Sequence, residues 1–372
     1  MSAAASGRTG CARSGALSEP APPRPDEVEV ALIGPGYGES ILVHLGDGDW
    51  IIVDSCCGAD GRPVALQYLD GLGVNPADAV KLIVATHWHD DHIRGMSRLV
   101  DACASARFCC AGALGSREFL STAGGLAGRD FSEVGYGVRE IHSAFSCLSS
   151  RGASPIWAAP VRRVFRNASS EVWSLSPGDD LFAAFVRSVE EWVTPEGKTA
   201  KRNRSPSPNQ LSVALWVRCG DAILLLGGDL ERTGWMAVLR DGTKPTGKAS
   251  VFKVPHHGSG SADVLEVWEE MLDPEPFAVL TPWQRGGRLL PTAEDVERIL
   301  SRTPRAYASA KPGSSARKRP SMVSRTVRGT GTKLTGVIGS PGIVRLRRSL
   351  ATGSPWTVKL FDPACPLGDL AA

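Results

Sequence analysis

From Val80 to His92 the chain reads VKLIVATHWHDDH, an apolar run of strand type that stops at Thr86 and turns straight into a cluster of imidazoles and carboxylates. Three histidines (His87, His89, His92) and two aspartates (Asp90, Asp91) fall within six residues, more than the solvation of a strand end calls for. Nitrogen and oxygen donors in this mixture suit borderline and hard divalent cations such as Zn and Mn, and a turn after a strand can aim alternate side chains at one point. The stretch therefore predicts a metal centre built on the end of a strand.

On its N-terminal side, residues 28–33, 40–45 and 50–53 are short β-type runs separated by the Gly-rich turns 34–38 and 46–48, which predicts an antiparallel meander. A helix is expected over 63–72, with Pro63 in its first turn and Gly73 just past its end. On the C-terminal side, residues 107–200 are less regular. Order returns at 211–218 and 222–226, which the Gly220-Asp221 turn joins as a hairpin. Further strand or helix candidates lie at 251–254, 264–272, 277–280 and 293–301, and closing strands at 343–348 and 356–360. Two β-rich halves could each supply one sheet of a sandwich with helices outside.

The chain has 372 residues, 42% hydrophobic and 22% charged, which allows one large domain or two ordinary ones and excludes wholesale disorder or a collagen-like repeat. No apolar run approaches the roughly 20 residues of a membrane-spanning helix. Arg8 and Arg13 are followed by no continuous apolar segment, so a cleaved secretory signal is not expected and a cytoplasmic location is. Residues 1–25 have almost no large apolar side chains and are expected to be a disordered tail. Nine cysteines, with Cys56-Cys57 and Cys109-Cys110 adjacent and no C-x-x-C pair, read as reduced, packed thiols rather than a disulfide framework or zinc ribbon. Net charge is +3, but residues 298–348 hold 13 Lys or Arg and no acid, leaving 3 − 13 = −10 for the rest. That asymmetry, together with the basic stretch 198–208 (KTAKRNRSPSP), suggests an anionic partner. Residues 198–208 and 311–320 are expected to be exposed loops.

Two further stretches fit a metal centre. Residues 224–229 (LLLGGD) form an apolar strand ending in two glycines and Asp229, and 251–259 (VFKVPHHGS) form another ending in His256-His257. Alone, each has an ordinary reading as a polar strand end. Together with the first cluster they resemble the metallo-β-lactamase fold superfamily, and within it the hydrolase domain of the DNA-uptake channel protein ComEC/Rec2 and its free-standing relatives. The His-x-His-x-Asp-His signature is His87, His89, Asp91 and His92; GYGES at 36–40 stands for GQGDS, Val53-Asp54-Ser55 for VDxG, LLLGGD for LLTGD, and KVPHHGS matches nearly letter for letter. The resemblance runs over about 28–280.

The resemblance implies an α+β fold, a four-layer αββα sandwich over 26–365, and two divalent metal ions, Zn or Mn. It implies that His87 and His89 bind the first metal, Asp91 and His92 the second, that Asp229 bridges them, and that His257, the residue before Gly, is the last ligand. His256 would contact substrate or donate a proton, and the two histidines could exchange roles. Asp54 would orient the ligand loop rather than bind metal. The family's further histidine before the bridging aspartate is missing: the loop reads Pro208-Asn209-Gln210-Leu211-Ser212, with Asn209 and Ser212 expected at the substrate, as ComEC-like members often have. Cys56 stands where the family has Gly and is expected to be a packed thiol.

A metal-bridging hydroxide is then the expected nucleophile, with Asp91 and His256 as catalytic residues and Lys201, Arg202 and Arg204 as phosphate contacts. A phosphodiesterase or nuclease acting on nucleic acid or a nucleotide phosphodiester is the leading expectation. A hydrolase of a small amide, ester or lactone, and a non-catalytic metal-stabilised interaction or signalling module, are the alternatives. Aromatic residues make up only 6% of the chain, so no base-stacking platform is evident in the sequence.

Overall fold

The computed structural model describes residues 21–35, 37–115, 136–193, 207–285, 287–311 and 341–370. Its strands in chain order are β1 (Glu27–Gly34), β2 (Ser40–His44), β3 (Trp50–Val53), β4 (Val80–Ala85), β5 (Arg107–Ala111), β6 (Ile156–Ala158), β7 (Arg162–Arg166), β8 (Ser170–Ser174) and β9 (Leu215–Cys219). Then come β10 (Ala222–Leu226), β11 (Ala249–Lys253), β12 (Leu272–Leu280), β13 (Trp283–Arg285), β14 (Arg288–Leu290), β15 (Ala306–Ala308), β16 (Gly342–Ser349), β17 (Thr357–Phe361) and β18 (Cys365–Pro366). They form two eight-stranded mixed sheets, ordered β17-β16-β1-β2-β3-β4-β5-β6 and β18-β15-β12-β11-β10-β9-β8-β7, plus the hairpin β13-β14.

Alternation of side chains along each strand makes both faces of both sheets apolar. In β1, Val28, Val30 and Leu32 enter the layer between the sheets, while Ala31 and Ile33 meet the outer helices. In β10, Ala222, Leu224 and Leu226 face the first sheet and Ile223 and Leu225 the opposite helices. Helices Val64–Gly71, Met96–Ala102, Tyr136–Ser150 and Asp179–Val193 cover the first sheet through Leu69, Leu99, Ile141 and Phe185. Helices Arg232–Arg240, Leu265–Met271 and Ala293–Leu300 cover the second through Trp235, Val267 and Ile299. The molecule is thus the αββα sandwich that the sequence implies.

The meander β1-β2-β3, the helix starting after Pro63 and the β9-β10 hairpin at Gly220 (φ 58°) all lie where the residue pattern puts them. The less regular stretch 107–200 holds more structure than its pattern specifies. It contains β5 to β8 and two helices of 15 residues. The helix Tyr136–Ser150 buries only Gly137, Ile141, Ala144 and Leu148 among polar neighbours, a stripe too thin to stand out in the sequence. Of the expected tail and loops, residues 1–20, 198–206 and 312–320 lie outside the described residues. Among the described residues no helix is long and apolar enough to cross a membrane.

Strands β3, β4 and β5 run parallel, as do β10, β11, β12 and β15. The carboxyl ends of β3, β4, β10, β11 and β12 carry Asp54, Thr86–His92, Asp229, His256-His257 and Thr281. Loops at such ends are free to carry chemistry because the strands behind them are rigid.

Candidate metal centre

The first determinant is Asp54, which leaves β3 in a left-handed conformation (φ 60°). Its Oδ1 accepts the Thr86 backbone N–H at 2.7 Å, and its Oδ2 accepts both the Thr86 hydroxyl and the His92 Nδ1–H, each at 2.7 Å. A threonine hydroxyl has one proton, and here Asp54 takes it. Thr86 Oγ1 therefore accepts from His87 Nδ1–H at 3.0 Å. One carboxylate fixes the tautomer of two imidazoles and leaves the Nε2 lone pair of each for the centre. His257 is fixed in the same way, with Nδ1–H donating to the Thr281 carbonyl at 2.9 Å.

The freed nitrogens converge on two carboxylates. His92 Nε2 lies 3.4 Å from Asp229 Oδ1 and 3.9 Å from Asp91 Oδ2; His257 Nε2 lies 3.3 Å from Asp91 Oδ2 and 3.6 Å from Asp229 Oδ2. His87 Nε2 stands 3.9 Å from Asp229 Oδ2 and 3.0 Å from His89 Nδ1. Two donor sets lie close enough to hold an ion, His87-His92-Asp229 and Asp91-His92-His257. A third set, Glu39-Asp54-His92, shares only His92 with them. His92 Nε2, His257 Nε2 and Asp229 Oδ1 are buried without a hydrogen-bond partner, which is costly unless something else satisfies them. A divalent cation fits these donors.

Electrostatics point the same way. Glu39, Asp54, Asp91 and Asp229 are all buried, and Lys253 is the buried ammonium among them. Burial lowers the His87 imidazole, aided by His92 and His89, and so keeps it neutral as a ligand must be. Burial would also lower His92, yet the Asp229, Asp54 and Glu39 carboxylates around it raise it well above its ordinary value. For Asp229 the burial effect is overcome by His92, His257 and Lys253, which depress the carboxyl. Such cross-stabilisation is what an excess of buried carboxylates does when no cation offsets it.

Glycines set the approach. A Cβ on Gly228 (φ 51°) would sit 2.5 Å from Ser212 Oγ, so the LLLGGD strand can reach its neighbours only with glycine there. Ser212, expected at the substrate, lies behind Asp229. It is fully buried, and its hydroxyl accepts the Asp229 N–H at 3.0 Å, so it holds the aspartate's backbone. Asn209 is buried too, and its Nδ2–H donates to His256 Nε2 at 3.1 Å. His256 Nδ1–H in turn meets Ser261 Oγ at 3.1 Å, which holds this histidine at the edge of the donor cluster. Lys201, Arg202 and Arg204 lie outside the described residues.

The residue pattern gave no role to Glu39, Lys253, Thr86 or Thr281. Lys253 Nζ contacts Glu39 Oε1 at 2.6 Å, the Gly228 carbonyl at 2.7 Å and Asp229 Oδ1 at 3.6 Å. A fully buried lysine at the end of the apolar strand VFK was the available signal, since Lys is almost never buried unless paired.

Residues 33–117 match the family described as the metallo-beta-lactamase superfamily. No curated protein matches the chain. Among solved structures, the metallo-beta-lactamase fold protein YhfI from Bacillus subtilis is 14% identical with a TM-score of 0.33, over 61% of this chain and 70% of that one. A single-site mutant of the CmlA beta-hydroxylase is also 14% identical, with a TM-score of 0.32, over 60% of this chain and 35% of that one. The matched span holds β2 to β5 and the whole His87–His92 cluster, so the likeness to that family rests on the part of the chain that carries the first histidines.

Proposed function

We propose that the chain is a binuclear metal-dependent hydrolase of the ComEC/Rec2-like kind that cleaves phosphodiesters, a phosphodiesterase or nuclease loaded with Zn or Mn. The observation that carries this reading is the pair of donor sets, His87-His92-Asp229 and Asp91-His92-His257, in which His92 Nε2 and His257 Nε2 lack any hydrogen-bond partner. His89, whose Nδ1 is 3.0 Å from His87 Nε2, would complete the first set, and Asp229, whose Oδ2 is also 3.6 Å from His257 Nε2, would serve both. When bound, two divalent ions supply a water of lowered pKa and stabilise charge on phosphate oxygens.

The protein's own groups do the rest. Asp54 holds His92 directly and His87 through Thr86; Ser212 and Lys253 hold Asp229. Asp91 orients the nucleophile. His256 is lowered by burial against the pull of Asp229, so it acts as a neutral hydrogen-bonding contact to substrate, positioned by Asn209. Lys201, Arg202, Arg204 and the basic stretch 298–348 suit a polyanionic substrate. Residues 26–365 form the hydrolase domain in this reading. The eight described cysteines are free thiols, which suits the reducing conditions of a cytoplasm.

The test is metal content of the purified protein by mass spectrometry, followed by hydrolysis of bis-p-nitrophenyl phosphate, single-stranded DNA, duplex DNA and RNA with added Mn or Zn. Bound metal with turnover of a phosphodiester supports the reading. Hydrolysis confined to esters, amides or lactones, or none of any substrate, overturns it.

A further inference from the structure

Two arginines beside the centre carry charges that no described carboxylate pairs with. Arg94 follows directly on the Asp90–Ile93 turn. Its guanidinium lies over the Tyr37 ring at 5.9 Å and the Tyr136 ring at 5.5 Å, and its Nε is buried without a hydrogen-bond partner. Arg285, on β13, lies over the same Tyr37 ring at 5.9 Å, with Nη1 donating to the Tyr37 hydroxyl at 3.4 Å.

The rings that carry these cations reach the metal donors. Trp283 stacks on His257, with centroids 6.4 Å apart and planes at 28°, and meets Tyr37 at 6.5 Å and 40°. Tyr37 belongs to the turn that rests on the ligand loop: the Glu39 N–H donates to the Asp91 carbonyl at 2.9 Å, and a Cβ on Gly38 would lie 3.2 Å from that same oxygen. From His257 outward, through Trp283 and Tyr37 to the two arginines, aromatic and cationic groups therefore adjoin without a break. Tyr37, Tyr136, Trp283 and Arg94 are half-buried and Arg285 is exposed.

We infer that Tyr37, Trp283, Arg94 and Arg285 form a docking wall for a nucleotide unit with an unpaired base, a reading that rests on the phosphodiesterase assignment. The rings take the base by stacking, which every base permits because each has a π face. The guanidiniums, held rigid by the rings beneath them, take phosphates flanking the bond at the centre. A phosphodiester of lipid or sugar offers no planar partner for the rings, and a duplex hides its base faces. The low aromatic content gave no hint of this surface, because residues 37, 136 and 283 are far apart in the chain and only the fold gathers them.

The wall is tested by fluorescence anisotropy on the metal-loaded, full-length protein with three cleavage-resistant phosphorothioate probes: oligothymidylate, an abasic strand of equal length, and a duplex. Wild type is expected to bind oligothymidylate about tenfold or more tighter than the abasic strand, with the duplex resembling the abasic strand. Trp283→Leu and Tyr37→Leu should erase that preference, and Trp283→Phe should keep most of it. Arg94→Gln and Arg285→Gln should weaken both single strands alike and each reduce the log–log salt slope by about 0.7. Metal content is measured on every variant, and the Phe variant stands in for one that loses metal. Equal wild-type affinity for the two single strands, or a preference that survives loss of both rings, overturns the wall. Hydrolysis of bis-p-nitrophenyl phosphate without base preference overturns the wall alone; base preference without any hydrolysis overturns the hydrolase reading alone.

Discussion

Asp54→Asn separates a positioning carboxylate from a merely structural one. Asparagine tolerates the left-handed backbone that Asp54 adopts at φ 60°, so the substitution changes the hydrogen-bond pattern without adding strain. Asp54 accepts three hydrogen bonds at 2.7 Å, and the amide of asparagine can accept on only one of its two ends. With its oxygen toward Thr86 Oγ1 and His92, its NH2 opposes the Thr86 N–H. Turned the other way, its NH2 faces His92 Nδ1 and drives the imidazole proton to Nε2, where metal must bind. Either orientation breaks at least one charge-assisted bond of about 1.5–3 kcal/mol. Loss of such an outer partner costs about 10- to 100-fold in metal affinity. Competition with a chromogenic chelator measures the affinity, and long-range 1H–15N NMR of the imidazoles reads the tautomers. Metal affinity within threefold of wild type, with His92 and His87 still protonated on Nδ1, would refute the argument.

Asp91→Ala is expected to abolish hydrolysis with the fold intact by circular dichroism; activity within tenfold of wild type at unchanged metal content counts against the mechanism. His257→Ala should lose metal while His256→Ala should lower turnover and keep it, and metal counts showing the reverse mean the two roles are exchanged. In metal-free protein, His92 and His257 are raised above the ordinary imidazole value of 6.5, so the stability they contribute is present below 6.5 and is lost as pH rises through their folded values. Asp91 and Asp229 are depressed below 3.8, so theirs is present above 3.8 and lost as pH falls through their folded values. The melting temperature of EDTA-treated protein should peak between these limits, and one that climbs steadily from pH 6.5 to pH 9 contradicts the scheme. Metal must displace the imidazole protons, so its affinity should rise with pH over the same range, which calorimetry in buffers of different ionisation enthalpy checks.

The two-sheet architecture was legible because each strand's own pattern carries it: the run VKLIVA reads as a strand at any position, and the clusters that follow β4, β10 and β11 are contiguous. His87, His92, Asp229 and His257 could be named from such local runs. The partners that orient them could not. Thr281 offers a backbone carbonyl, which has no sequence signature, and Glu39 meets Lys253 across more than 200 positions of chain. That Ser212 supports the Asp229 backbone is likewise set by the close approach of Gly228, which no local run records. Tyr37 and Trp283 were invisible for the same reason as Glu39. Contacts set by the meeting of two sheets leave no mark on either segment alone.

The centre is also where the fold concentrates strain and buried charge. Among the described residues six non-glycine positions have positive φ, and three of them, Asp54, His256 and His257, are at this site. Each costs about 1–2 kcal/mol relative to an ordinary backbone. Gly38, Gly228 and Gly258, also left-handed, stand next in the chain to Glu39, Asp229 and His257. To this strain are added four buried carboxylates with one buried ammonium. A sequence selected for stability alone would relax these features, since apolar replacements of similar volume often fold at least as well as buried ions. What favours retaining them is a ligand that binds the folded arrangement and not the unfolded chain, because its binding free energy is added to folding. A divalent cation held by these donors would do that, adding its binding free energy to the folding of the strained, carboxylate-rich apex.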